Sequence, residues 1–129
     1  MDEFVEALKL LHTRPCTRKD GNELISPSIF ETNPDASKET KRGLANVLMV
    51  RNLWMDFDKG ELQPEELAKL FPMTKLAIFN TYSHSPKNPR FRVVFPFNQQ
   101  LNPDEYVILY DQLIAKIRDA RPDSGHVEA

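Results

Sequence analysis

Leu53-Trp54-Met55-Asp56-Phe57-Asp58-Lys59-Gly60 is an apolar run that ends in two carboxylates one residue apart and then a turn. In a β-strand, side chains alternate between the two faces. Asp56 and Asp58 then point one way, while Met55 and Phe57 point the other way into a core. Two carboxylates ~5 Å apart at an effective dielectric of ~20 repel each other by roughly 3 kcal/mol. A hard divalent cation such as Mg²⁺ reverses that sign, because it takes oxygen ligands and leaves coordination positions for substrate phosphates. The alternative use of the pair is to cap a strand before the Lys59-Gly60 turn.

Working outward, Val47 to Asp58 is rich in strand formers but long for one strand, and Arg51-Asn52 marks a bend, a bulge or a break. Pro64 opens a helix at a position where its missing N–H costs nothing. Leu67, Leu70 and Phe71 give that helix an apolar face, and Pro72 stops it. Lys75 to Ser83 reads as a second strand and Arg90 to Phe97 as a third. The short turn Ser85-Pro86-Lys87-Asn88-Pro89 between them predicts a hairpin. On the third strand, Phe91, Val93, Phe95 and Phe97 share one face, and Arg90 and Arg92 share the other. Asn102 is a helix cap with Pro103 and Glu105 in the matching positions. Tyr106, Leu109, Tyr110, Leu113, Ile114 and Ile117 form a wide apolar stripe reaching about Ala120.

Upstream, Phe4, Ala7, Leu8 and Leu11 have helical spacing over residues 2–12. Leu24-Ile25 and Ile29-Phe30 read as short strands broken by Pro27, and residues 33–43 as a polar loop. The fold class is therefore α+β: an antiparallel or mixed sheet with helices packed on one face. A single domain is expected over residues 1–129. A helix and small strands occupy 1–45, the core 46–120, and an unstructured tail 121–129.

Composition narrows the function classes. The chain has 129 residues, 40% hydrophobic and 28% charged, with a formal net charge of −2. Bulk charge gives no attraction to nucleic acid, so an anionic partner must be held by local clusters. One such cluster is Lys38, Lys41 and Arg42. The single cysteine, Cys16, excludes an intrachain disulfide and a cysteine zinc site, and a reducing cytoplasm is the expected compartment. Met1-Asp2-Glu3 begins no basic-then-apolar leader, so no signal peptide is expected. No apolar run approaches the ~20 residues of a membrane span, and no membrane partner is expected.

A second signal is Tyr82-Ser83-His84-Ser85, followed by Pro89-Arg90-Phe91-Arg92-Val93-Val94. A lone histidine at a strand end is commonly structural, and two arginines on a strand are commonly a solvated face. Together with Asp56 and Asp58 they supply the parts that hold a nucleoside triphosphate. Carboxylates hold Mg²⁺ on the phosphate oxygens, guanidinium forks grip the outer phosphates, and an imidazole donates.

With those motifs in that order, residues 40–120 resemble the archaeo-eukaryotic primase superfamily, in particular primase-polymerase-like domains of plasmids and phages. Asp56 and Asp58 match its first motif, two acids separated by a hydrophobic residue. Ser83-His84-Ser85 loosely matches its Ser-x-His-like second motif. The resemblance implies an RRM-like core and Mg²⁺ or Mn²⁺ held by Asp56 and Asp58. It implies nucleotide contacts from Ser83, His84, Arg90 and Arg92, with Asp56, Asp58 and His84 catalytic. It further implies a single-stranded DNA template, touched here by Lys38, Lys41 and Arg42, and a replicative helicase as a further partner. The superfamily's third motif, a hydrophobic residue followed by an acid on a later strand, is expected after a Ser-Gly pair. Ser124-Gly125 is followed only by His126-Val127-Glu128-Ala129, and neither Asp123 nor Glu128 lies in a strand evident from sequence. The third acid is therefore expected to be missing, as in a chain cut before that motif.

The first functional reading is a nucleotidyltransferase of a plasmid, phage or mobile-element replication protein. The second is a non-catalytic nucleic-acid-binding replication module that keeps the fold. The third is a metal-dependent rolling-circle nicking enzyme. It would need paired histidines and a nucleophilic tyrosine, and His12, His84 and His126 stand far apart in sequence.

Overall fold

A computed structural model describes residues 2–13, 26, 28–31 and 46–128. Its elements in chain order are α1 (Asp2–His12), β1 (Ser28–Phe30), β2 (Val47–Asp58), α2 (Pro64–Leu70), β3 (Ala77–Asn80), β4 (Phe91–Leu101), α3 (Pro103–Ala120) and β5 (His126–Glu128). Lys38, Lys41, Arg42, Cys16, the Leu24-Ile25 strand and the 33–43 loop lie outside the described residues.

β2 is the strand on which the sheet is built. One edge pairs antiparallel with β4, from Asn52 opposite Pro96 to Phe57 opposite Phe91. The other edge pairs with β1 near its start and with β5 at its end. β3 adds antiparallel to the far side of β4, giving the path β1-β2-β4-β3. The fold class is α+β. The Arg51-Asn52 irregularity is a bulge, since the register to β4 shifts between Val50 and Asn52.

Alternation sorts the two faces. Leu53, Met55 and Phe57 of β2 meet Phe91, Val93 and Phe95 of β4 in the core, with Leu67, Phe71 and Ile117 from the helical side. Phe57 and Phe91 stack with centroids 4.8 Å apart. α3 starts as its cap residues dictate: Asn102 Oδ1 accepts from the Glu105 N–H and Glu105 Oε2 accepts from the Asn102 N–H, each at 2.9 Å. No helix among the described residues is long and apolar enough to cross a membrane.

Two strand boundaries differ from the sequence reading. β3 covers only Ala77–Asn80, because Thr81 leaves the strand and donates its N–H and hydroxyl to the Arg90 carbonyl. Ser83 and His84 therefore sit in the β3–β4 loop and not at a strand end. β4 runs on to Leu101, beyond Phe97.

The larger correction concerns the tail. Residues 126–128 are not unstructured; they form β5, with Asp56 opposite Glu128, Phe57 opposite Val127 and Asp58 opposite His126. A three-residue strand shows no periodicity by itself, and only its pairing and the burial of Val127 define it. The approach to β5 is fixed by a turn with two glycines back to back. Lys59 adopts φ 58° and Gly125 φ 87°. A Cβ on Gly60 would collide with the Ser124 carbonyl, and one on Gly125 with the Gly60 nitrogen and the Asp58 carbonyl. Glu61 donates its N–H to the Asp123 carbonyl at 3.0 Å.

Arg121 ties this turn to α2. It pairs with Glu66 and Asp123, each at 2.7 Å. Its guanidinium holds both carboxyls below their ordinary values of 4.5 and 3.8. A carboxylate whose folded pKa is depressed stabilises the fold above its unfolded value and loses that contribution as pH falls through the folded value. Arg121→Ala should therefore lower Tm at pH 7, and the difference from wild type should shrink once the pH falls below about 4. Thermal unfolding of both proteins across pH 3–7 checks this. A difference that stays constant across the range would remove the ion pairs as its cause.

Candidate functional site

Asp56 and Asp58 leave the strand on the face opposite the core, as their spacing predicts. Directly across the β2–β4 ladder stands Arg92, in register with Asp56. Its Nε and Nη2 bind the two oxygens of Asp56, the latter at 2.6 Å. This hydrogen-bonded fork holds the Arg92 proton more firmly than usual, against a smaller opposing effect of burial. The same guanidinium lies 5.1 Å above the Trp54 ring, and Trp54 meets Phe79 edge to face at 6.4 Å. Trp54 and Phe79 thus give the open face an aromatic floor beneath Arg92.

Asp58 is held less tightly. Arg90 Nε approaches Asp58 Oδ1 to 3.0 Å, but without the alignment of a hydrogen bond. Both ion pairs are partly open to solvent, with side-chain exposures between 30 and 38%. The four charged groups line a small cleft of about 240 Å³ together with Thr81, Tyr82 and Ser83.

Of the residues read from sequence, Asp56, Asp58, Ser83, Arg90 and Arg92 meet in this cleft. His84 does not line it. Its Nδ1 accepts the Arg90 N–H at 3.1 Å, and its own N–H goes to the Thr81 carbonyl. His84 therefore fastens the loop whose end carries Arg90. An accepting Nδ1 leaves Nε2 as the ring's donor in the neutral imidazole. Thr81 and Trp54 were given no site role from sequence, and Tyr82 was named only within the Tyr82-Ser83-His84-Ser85 motif and as a tyrosine for the nicking-enzyme reading. Only the parity of Trp54 with Asp56 hinted at its place on this face.

Glu128, for which the sequence shows no strand, lies in β5. Val127-Glu128 is a hydrophobic residue followed by an acid, on a strand directly after Ser124-Gly125, and Glu128 takes the register position opposite Asp56. The Ser-Gly pair has a physical reason as well, since Gly125 passes against Gly60 where no Cβ fits. Among the described side chains no group of three His, Cys, Asp or Glu is placed to hold a metal. What the described part of the site offers a hard cation is two carboxylates on one face, which suits a weakly bound, largely hydrated ion.

A domain with a two-sided antiparallel sheet, helices on one face and a charged cleft on the other is the class defined so far. Comparison with protein families matches residues 35–123 to the VapE N-terminal domain. The chain belongs to that family, a domain associated with phage and plasmid replication. No match was found among curated proteins or among solved structures.

The glycine contact is testable. Gly60→Ala forces the Ser124–Gly125 backbone away and should cost more than about 1 kcal/mol of stability, since alanine is incompatible with the native approach. Lys59→Gly, which relieves the positive φ, should be neutral or stabilising. Urea unfolding midpoints of the two variants should move in opposite directions or only for Gly60→Ala. Equal midpoints for Gly60→Ala and wild type would show that the turn can give way freely.

Proposed function

We propose that the open face of the sheet is a nucleotidyl-transfer site of primase-polymerase type in a replication protein. On this reading Asp56 and Asp58, joined by Glu128, hold Mg²⁺ or Mn²⁺, and Arg90 and Arg92 bind the triphosphate of an incoming nucleotide. The observation that carries it is the charge pattern of the cleft: two carboxylates of β2 meet two guanidiniums, one on β4 and one just before it, in a family tied to replication. A divalent cation supplies charge neutralisation at the attacking and leaving oxygens. The arginines would turn from the aspartates to the phosphates, where a planar fork fits two oxygens at once. Ser83 lines the cleft and offers a hydroxyl for the remaining phosphate oxygens. His84, by holding the Arg90 backbone, fixes where that guanidinium starts. Single-stranded DNA is the template in this reading, and Lys38, Lys41 and Arg42 remain candidates for touching it. A replicative helicase remains an expected partner.

One observation favours the second reading, a module that binds without catalysing. Each aspartate already has an arginine countercharge, so the pairs can serve as structure alone. The two readings separate by titration calorimetry. If the site is a transfer site, metal and nucleotide compete away the internal ion pairs together, and each should strengthen binding of the other. Arg92→Gln should then improve Mn²⁺ binding in the absence of nucleotide, because a competing cation has gone. It should weaken triphosphate binding about tenfold or more, as hydrogen bonds to charged groups are worth ~1.5–3 kcal/mol each. Asp56→Asn/Asp58→Asn should abolish metal binding, and Glu128→Gln should weaken it. Primer synthesis on single-stranded DNA should fall with Asp58→Ala. Metal affinity that is identical in wild type and the double Asn variant would sink the transfer site and leave the binding module.

A further inference from the structure

Resting on the transfer-site reading above, we propose that Tyr82 holds the base of the incoming nucleotide: its ring stacks on the nucleobase of a nucleoside triphosphate whose phosphates lie at Arg90 and Arg92. The starting point is size. The charged cleft measures about 240 Å³, below the ~300–1,000 Å³ of pockets that enclose a whole small ligand. It has room for the phosphates, so the sugar and base must lie on its rim.

The rim carries one aromatic surface in reach of solvent. Of the lining residues, Phe57 and Tyr82 are aromatic. Phe57 is 2% exposed and stacks on Phe91 in the core, whereas Tyr82 is 53% exposed. Trp54 and Phe79 meet each other edge to face, and Trp54, beneath Arg92, is itself buried. Core packing does not account for a tyrosine with half its surface in water. Turn chemistry does not account for it either, because the centre of a turn favours proline, glycine, asparagine, aspartate or serine, and Ser83 supplies that.

The backbone fixes where this ring stands. Tyr82 and Ser83 are the central residues of a β-turn closed by the His84 N–H on the Thr81 carbonyl at 3.0 Å. Both ends of the turn are fastened to Arg90. The Thr81 N–H donates to the Arg90 carbonyl at 3.0 Å, and the Arg90 N–H donates to His84 Nδ1 at 3.1 Å. The turn that presents Tyr82 and the residue that grips the phosphates are therefore one body. A base held by its face leaves its hydrogen-bonding edge open. Stacking on an aromatic ring accepts every base, since each has a π-face. Tyr82 thus favours a nucleotide over bare phosphate without choosing among the bases.

The test is titration calorimetry of the 129-residue chain with ATP, dTTP and inorganic tripolyphosphate, each in the presence of Mn²⁺. Tyr82→Ala should weaken binding of both nucleotides about tenfold, as loss of one base–aromatic stack does. Tripolyphosphate affinity and Tm should stay at wild-type values, and Tyr82→Trp should restore nucleotide binding. Equal losses for tripolyphosphate and nucleotides would overturn the proposal by giving Tyr82 a part in shaping the phosphate cleft. Unchanged nucleotide affinity in Tyr82→Ala would also overturn it. Failure of the transfer-site reading shows separately: nucleotide binding would still need Tyr82 but would be the same in Asp56→Asn/Asp58→Asn. No nucleotide binding by wild type would overturn both.

Discussion

β2 is hydrogen-bonded along both edges, and its register is the constraint from which the rest of the domain follows. Side chains alternate with a period of two, so a slip of one residue against β4 would exchange the two faces of the strand. Asp56 and Asp58 would then enter the core among Phe91, Val93 and Phe95, and Met55 and Phe57 would face water. An unpaired buried carboxylate is far more costly than the loss of a core contact. The acids thus help to specify the register that places them on the open face, quite apart from any ligand. The bulge at Val50–Asn52 absorbs the irregularity at the start of the strand and leaves the charged end in regular pairing.

Regular pairing has an electrostatic consequence. Two aspartates on one face of a strand need a countercharge nearby, and β4 supplies it by putting Arg92 opposite Asp56. Arg92 is braced from beneath by the Trp54 ring and reaches both oxygens of its partner. Arg90 lies just before β4, at the end of a loop pinned by His84, and meets Asp58 without a hydrogen bond. The site is therefore stiff at one pair and loose at the other. Exposed ion pairs of this kind add little to stability. Their consequence is positional, since they fix where each charged group stands on this face.

Much of this was legible from sequence because it rests on local chemistry. Period-two patterning put Asp56 with Asp58 and Arg90 with Arg92, and proline, asparagine and glutamate marked both α2 and α3. The ends of β3 were not legible, because Thr81 leaves the strand for a hydrogen bond to Arg90, a partner nine residues away. The role of His84 was hidden for a similar reason: its nearest chemical partner is a backbone N–H across the loop. β5 was the largest omission. Its three residues carry no repeat, and what identifies them is a partner strand about seventy residues earlier.

β5 also shows how the acid on a short strand can be positioned without intrinsic strand stability. Three residues on one edge cannot order themselves against the entropy of fixing the chain. Val127 is buried against the core, and its carbonyl accepts the Tyr110 hydroxyl at 3.2 Å, so α3 anchors the strand from the helical side. The Gly60–Gly125 contact anchors it from the turn, with Arg121 tying that turn to α2. The position of Glu128 opposite Asp56 is thus set by groups on the opposite side of the sheet from the cleft. Core packing and the charged face are mechanically one unit here. A substitution in the turn that never touches the cleft would act on this edge of the sheet by moving the backbone of β5 against Asp56 and Asp58.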